Sequence, residues 1–257
     1  MGALSVTSDE HYRAPFEPLL PGVRFVPVND PAALLAAVSS TTAAIIAEPV
    51  QGEGGVRPLT PAFADAINQA CAKTGALLIA DEVQSGLGRT GQPFYFPTLG
   101  LKPHLVSVGK ALGGGVPVGA ALIGDEVAST ISYGDHGSTY GGNLLACRAA
   151  LCFLGELTEG GLLDNIRQVG RFFEQRLRAI AAKHAFIKDV RGVGLIWGLE
   201  LTKDASWVVP AGLTQGVVVN RTAETVVRLL PPLVITESEA DDALGRLDAA
   251  LSVAHDA

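Results

Sequence analysis

The chain has 257 residues, enough for one large domain or two unequal ones around a substantial core. With 48% hydrophobic and 18% charged residues it has the make-up of a folded protein, not a disordered one. A formal charge of −7 argues against a surface for nucleic acid or anionic membrane, and no apolar run reaches membrane-spanning length. The opening segment MGALSVTSDEHYRAPFEP has no basic stretch followed by an apolar one, so it does not read as a signal peptide. It reads instead as a start partway through a domain. Cys71, Cys147 and Cys152 follow neither a metal-ligand spacing nor a paired framework. Cys147 and Cys152 are expected to be small buried hydrophobes of a helix in a reducing cytoplasm.

In chain order, Val23 to Val28 reads as a strand and Pro31 to Ser39 as a helix with proline in its first turn. AAIIAEPV is the next strand candidate, followed by a helix from Pro61 to Lys73 and the strand ALLIADEV. Leu105 to Gly109 and Val118 to Gly124 are two further buried-strand candidates. Apolar runs separated by helices imply a largely parallel sheet covered on both faces, with ligands at the carboxyl ends of its strands. Two long helices are expected, from Leu144 to Leu157 and from Gly161 to Lys183. Strand candidates at Val193 to Leu201, Val217 to Asn220 and Thr225 to Leu230 then precede a terminal helix from Glu237 to about Ala254. The division expected is a large α/β part over residues 1–160 and a smaller α/β part over residues 161–257.

Of six lysines, five lie in polar or helix-surface contexts; Lys110 alone follows an apolar run, LVSVG, and precedes the glycine-rich ALGGGVPVGA. A lysine poorly placed for solvation has a depressed pKa and more of the neutral amine that attacks carbonyls. The plainer alternative is a strand-end lysine that lays its stem on apolar surface and reaches water. Asp81 and Glu82 end the strand ALLIA abruptly, which places a carboxylate at the sheet's carboxyl edge, as a loop anchor or as the partner of a pyridinium nitrogen. GLGRTG (Gly86 to Gly91) matches a dinucleotide fingerprint, but Gln92-Pro93 opposes the helix that should follow, and no suitably spaced acid stands downstream. A nicotinamide dehydrogenase is therefore disfavoured. VGKALGGG lacks the hydroxyl and the first glycine of a phosphate loop. In HGSTYGGN, Thr139 and nearby amides can hold an anion at a helix start or simply cap the helix, and His136 reads as a loop residue.

Taken together, IIAEPVQGEGGV, LLIADEVQSGLGRTG, SVGKALGGGVPVGA, GSTYGGNLLAC, VRGVGLIWGLEL and VRLLPPLVIT resemble the class III, fold type I aminotransferases, and most closely the acetylornithine branch. The resemblance runs from Met1 to nearly the C-terminus. It implies a mostly parallel sheet flanked by helices, a smaller C-terminal α/β domain, and pyridoxal 5'-phosphate held by Lys110 as a Schiff base. It implies that Lys110 also shuttles the substrate proton, that Asp81 pairs with the ring nitrogen, that Val83 packs on the ring, and that Gln84 lies near the ring hydroxyl. Thr139 would reach the phosphate in a partner subunit of a homodimer. Glu53 would gate Arg228, the binder of a substrate carboxylate, with Glu48 shaping the same loop.

The activity implied is transfer of an amino group between N-acetylornithine, or a related ω-amino acid, and 2-oxoglutarate, as in arginine biosynthesis. The alternatives are activity on ornithine, succinylornithine or 4-aminobutyrate, and a catalytically silent chain. The last arises because the family's N-terminal part, with its phosphate loop, has no counterpart before Met1, which matches an internal methionine of the pattern. An N-terminally truncated sequence is the expectation.

Overall fold

The computed structural model describes residues 1–253. In chain order its helices and strands are α1 (Gly2–Ser5), α2 (Glu10–Arg13), α3 (Pro31–Ala37), β1 (Ala44–Ala47), β2 (Val50–Gln51), β3 (Arg57–Pro58), α4 (Pro61–Thr74), β4 (Leu77–Asp81), β5 (Leu105–Val108), β6 (Ala120–Ile123) and α5 (Asp125–Ala128). They continue with α6 (Leu144–Thr158), α7 (Leu162–Lys183), β7 (Ile187–Val193), β8 (Ile196–Leu201), α8 (Val208–Thr214), β9 (Asn220–Thr222), β10 (Val226–Leu229) and α9 (Glu237–Val253). No helix among the described residues is long and apolar enough to cross a membrane.

Local chemistry sets the helix ends. Asp30, Thr60 and Asn143 each accept a hydrogen bond from a first-turn amide of α3, α4 and α6. Proline opens α3 and α4, and Gly75 closes α4 in the left-handed conformation.

One sheet has the order β1-β4-β5-β6. Its first three strands are parallel, Ala47 lying beside Ala80 and Asp81 beside Ser107. Their carboxyl ends therefore line up in one row, carrying Glu48, Asp81 and Lys110. A second, antiparallel sheet has the order β7-β8-β10-β9. Its core is built from Ile166, Phe173 and Leu177 of α7, Trp197 and Leu199 of β8, and Leu244 and Leu247 of α9.

Several expectations need correction. Val23 to Val28 forms no strand: Pro27 offers no N–H, no neighbour pairs with the segment, and Val26 and Val28 pack on the core of α3 and α4 as extended chain. β6 runs antiparallel to β5 and is exposed along its length, an edge strand and not a buried one. The run from Val193 to Leu201 is broken at Gly194, whose φ of +57° turns β7 into β8. In the third small strand the paired residues are Asn220–Thr222, shifted toward the C-terminus of Val217 to Asn220. Cys147 and Cys152 are exposed because α6 buries only Ala146 and Leu157. Of the terminal helix expected to Ala254, that last residue lies outside the described residues.

Candidate active site

A cavity of about 360 Å³ opens between the carboxyl edge of the first sheet and the second sheet. Lys110, Val83, Gln84, Glu53 and Arg228 line it, together with Gly109, Arg89 and Leu230. Lys110 begins a 3-10 turn immediately after β5 and has φ +48°, an uncommon conformation for a side-chain-bearing residue. Its side chain is open to the cavity, yet crowding protein lowers its pKa by desolvation. Glu53, Glu48 and Asp81 oppose that shift and Arg228 reinforces it, and desolvation prevails.

Asp81 ends β4, where its carboxylate accepts from the Ser107 hydroxyl at 3.0 Å and from the Val83 amide at 3.1 Å. The register explains the first bond, since Asp81 and Ser107 are direct neighbours across parallel strands. Glu48 accepts from the Gly52 amide at 3.3 Å, and burial raises its pKa against that bond. Asp81 and Glu48 are not among the residues that line the cavity.

Arg228 is 9% exposed and fully engaged on one side. Its Nε donates to Asn220 Oδ1 at 2.9 Å, and its Nη1 donates to Glu53 Oε1 at 2.6 Å and Gln84 Oε1 at 3.3 Å. The Glu53 side chain is 74% exposed, so the ion pair joins a buried cation to a carboxylate at the cavity mouth. Gly52 lets Gln84 reach Arg228, because a Cβ at that glycine would lie 1.7 Å from Gln84 Oε1.

Thr139 is not brought to this cavity. It sits in an exposed stretch before α6, where Asn143 supplies the helix cap, and His136 is exposed nearby. Among the described residues, the cavity lining contains no serine or threonine hydroxyl. At the ring end two lining residues suit pyridoxal phosphate, the Lys110 amine for its carbonyl and Val83 as an apolar wall, while the carboxylate of Asp81, outside the lining, is held by Ser107 and the Val83 amide.

Four residues not singled out from the sequence support the site. Arg89 reaches from GLGRTG to donate to the Leu195 carbonyl at 2.9 Å and the Pro231 carbonyl at 2.6 Å, and burial lowers its pKa to about 10. Gly88 in that turn accommodates Leu157, and no helix follows it, which is the geometry of a docking turn and not of a dinucleotide loop. Ser107 was findable from strand alternation, as a polar residue inside LVSV. Asn220 and Thr222 were hidden by the shifted strand register.

The family model for aminotransferase class III matches residues 1–251. This chain belongs to the class III aminotransferases. Pyridoxal 5'-phosphate is the cofactor of that family, and its fold is fold type I. The acetylornithine aminotransferase of Archaeoglobus fulgidus is 47% identical over 244 residues, 95% of this chain and 63% of that protein. The acetylornithine aminotransferase of Caldanaerobacter subterraneus subsp. tengcongensis is 42% identical over 98% of this chain and 64% of its own length. Among solved structures, the ornithine aminotransferase from Toxoplasma gondii ME49 superposes with a TM-score of 0.91 at 33% identity, covering 99% of this chain and 62% of that one. The chain thus spans a little under two thirds of the length of these relatives.

Proposed function

We propose that the chain acts as a pyridoxal-phosphate-dependent transaminase between N-acetylornithine, or a related ω-amino acid, and 2-oxoglutarate. Support comes from one juxtaposition: Lys110, Arg228 and Glu53 face a single cavity, the lysine depressed in pKa and the arginine paired to an exposed acid. The cofactor supplies, when bound, an electron-withdrawing ring that stabilises negative charge at the substrate carbon.

The chain's own residues do the rest. Lys110 presents a neutral amine that takes a proton from the substrate carbon and returns it. Asp81, fixed by Ser107 and the Val83 amide, would pair with the ring nitrogen, Val83 would pack on the ring and Gln84 would lie near its hydroxyl. Glu48 shapes the loop that bears Glu53. A buried arginine left without an anion is costly, so Arg228 exchanges one carboxylate for another. A dicarboxylate such as 2-oxoglutarate replaces Glu53, which swings into water; an N-acylated amino donor leaves the pair closed. Two copies are proposed to form a cytoplasmic homodimer in which Thr139 of each reaches the other's phosphate site. The boundary between a large and a smaller part is proposed to fall between residues 160 and 161.

The test mixes purified chain with pyridoxal phosphate, reduces with borohydride and maps the adduct by mass spectrometry. Modification confined to Lys110, with glutamate formed from N-acetylornithine and 2-oxoglutarate, is the expected result. Identical labelling of Lys110→Ala would refute the site. A silent chain is the second reading, favoured by the absence of a serine or threonine hydroxyl from the described cavity lining. It predicts labelling of Lys110 without glutamate formation.

A further inference from the structure

An acid as exposed as Glu53 has many rotamers open to it, and pairing with Arg228 restricts them at an entropic cost. Something must hold its backbone close. The Thr222 hydroxyl donates to the Glu53 carbonyl, joining residues 169 positions apart, and Thr222 is itself only 7% exposed. Its strand also carries Asn220, which holds the Nε of Arg228 at 2.9 Å and lies opposite Arg228 in the β9–β10 ladder. Residues two apart on a strand share a face. One three-residue edge strand therefore grips both members of the ion pair, the cation by its side chain and the acid by its main chain.

A second anchor acts further along the same loop. Arg191 Nε donates to the carbonyls of Gly55 at 2.9 Å and Val56 at 3.1 Å. Val56 is fully buried against Val50 and Ile196 with φ +52°, a conformation a β-branched residue adopts only when its surroundings enforce it. The loop's far end is thus pinned. The Gly52 carbonyl closes the turn by accepting from the Gly55 and Val56 amides, and the side-chain bond to Glu53's own main chain comes from Thr222.

We propose that Thr222 is a positioning residue for substrate selection: its hydroxyl seats the Glu53 carboxylate on Arg228 and so sets how readily a dicarboxylate displaces it. This rests on the exchange of carboxylates at Arg228 described above. The apparent affinity for a dicarboxylate is its intrinsic affinity scaled by the fraction of chains in which Arg228 is released, so loosening Glu53 tightens dicarboxylate binding.

The probe is glutarate, a dicarboxylate with no carbonyl to react, titrated calorimetrically into the full chain. Thr222→Val keeps the shape and removes the donor; Thr222→Ser restores it. Thr222→Val is expected to bind glutarate roughly three- to tenfold tighter, the fold-change of one net hydrogen bond. Thr222→Ser should match the parent, and Glu53→Gln should bind at least as tightly as Thr222→Val. Melting temperatures confirm that each variant is folded. If Thr222→Val binds like the parent or more weakly while Glu53→Gln binds more tightly, the role of Thr222 is overturned and the exchange at Arg228 stands. If neither Glu53→Gln nor Arg228→Met changes glutarate binding, the exchange itself fails, and with it this role for Thr222.

Discussion

Glu82 offers the sharpest test of how the site's supporting layer is built. Its carboxylate is fully buried and accepts from the Ser85 hydroxyl, from the Tyr95 amide at 2.6 Å and from the Phe96 amide at 2.7 Å. Glu82→Ala strands three donors at once. Each buried unpaired group costs about 1–3 kcal/mol, and partial access to water at Tyr95 and Phe96 trims the sum to about 3–5 kcal/mol. Glu82→Gln keeps an acceptor for the two amides and lets Ser85 turn its hydroxyl, so about 1 kcal/mol is expected.

The pH dependence separates charge from shape. Burial raises the Glu82 pKa above its ordinary 4.5, against the lowering effect of its hydrogen bonds. Between the unfolded and folded values the native chain binds more protons than the unfolded one. This group's destabilising contribution is therefore full above the folded pKa and fades as pH falls toward 4.5. Urea unfolding followed by tryptophan fluorescence should show the parent gaining on Glu82→Gln as pH falls through that window. Equal stability of the Ala and Gln variants, or a parent that loses ground to Gln on acidification, would refute the assignment.

Lys110 should capture pyridoxal phosphate at a rate rising with pH about a midpoint below the ordinary lysine value of 10.5. Stopped-flow absorbance should show that midpoint move up in Arg228→Met, where a cation is removed, and down in Glu53→Gln, where an anion is removed. Gly194 has φ +57°, and an added Cβ would lie 2.5 Å from the backbone of Thr90, so Gly194→Ala should cost about 2–5 kcal/mol in urea unfolding. Gly100→Ala has a similar φ of +65° with open space around it, so it reports the backbone cost alone, about 1 kcal/mol.

Most of the first sheet was legible because its strands are short apolar runs ended by charge, as in ALLIADE, and its helices carry their own caps. β6 misled because AALI is apolar in composition, and composition alone does not report whether a helix or another chain covers the strand. The segment at residues 23–28 misled for a related reason: hydrophobicity places it against the core, but pairing needs a neighbour with free N–H and C=O groups. Lys110 and Asp81 could be picked out because they interrupt local patterns, whereas Gln84 came from the family likeness. The engagement of Arg228 with Glu53 came from the family likeness alone, since no local pattern connects a strand residue with a turn residue 175 positions away. Arg89 was passed over inside a decoy motif, its role being to bond carbonyls that sequence does not display.

The span of the contacts around the cavity bears on when it forms. Arg228 meets Glu53 across 175 positions, and Arg89 reaches Leu195 and Pro231 across 106 and 142. Contacts that close such long loops bring their entropic cost before their reward, so they form late, after local hairpins and helices are in place. The cavity should be the final part of the molecule to mature during folding. A molecule that touches both walls then acts on the timing as well as the chemistry, slowing the unfolding step in which the two sheets part.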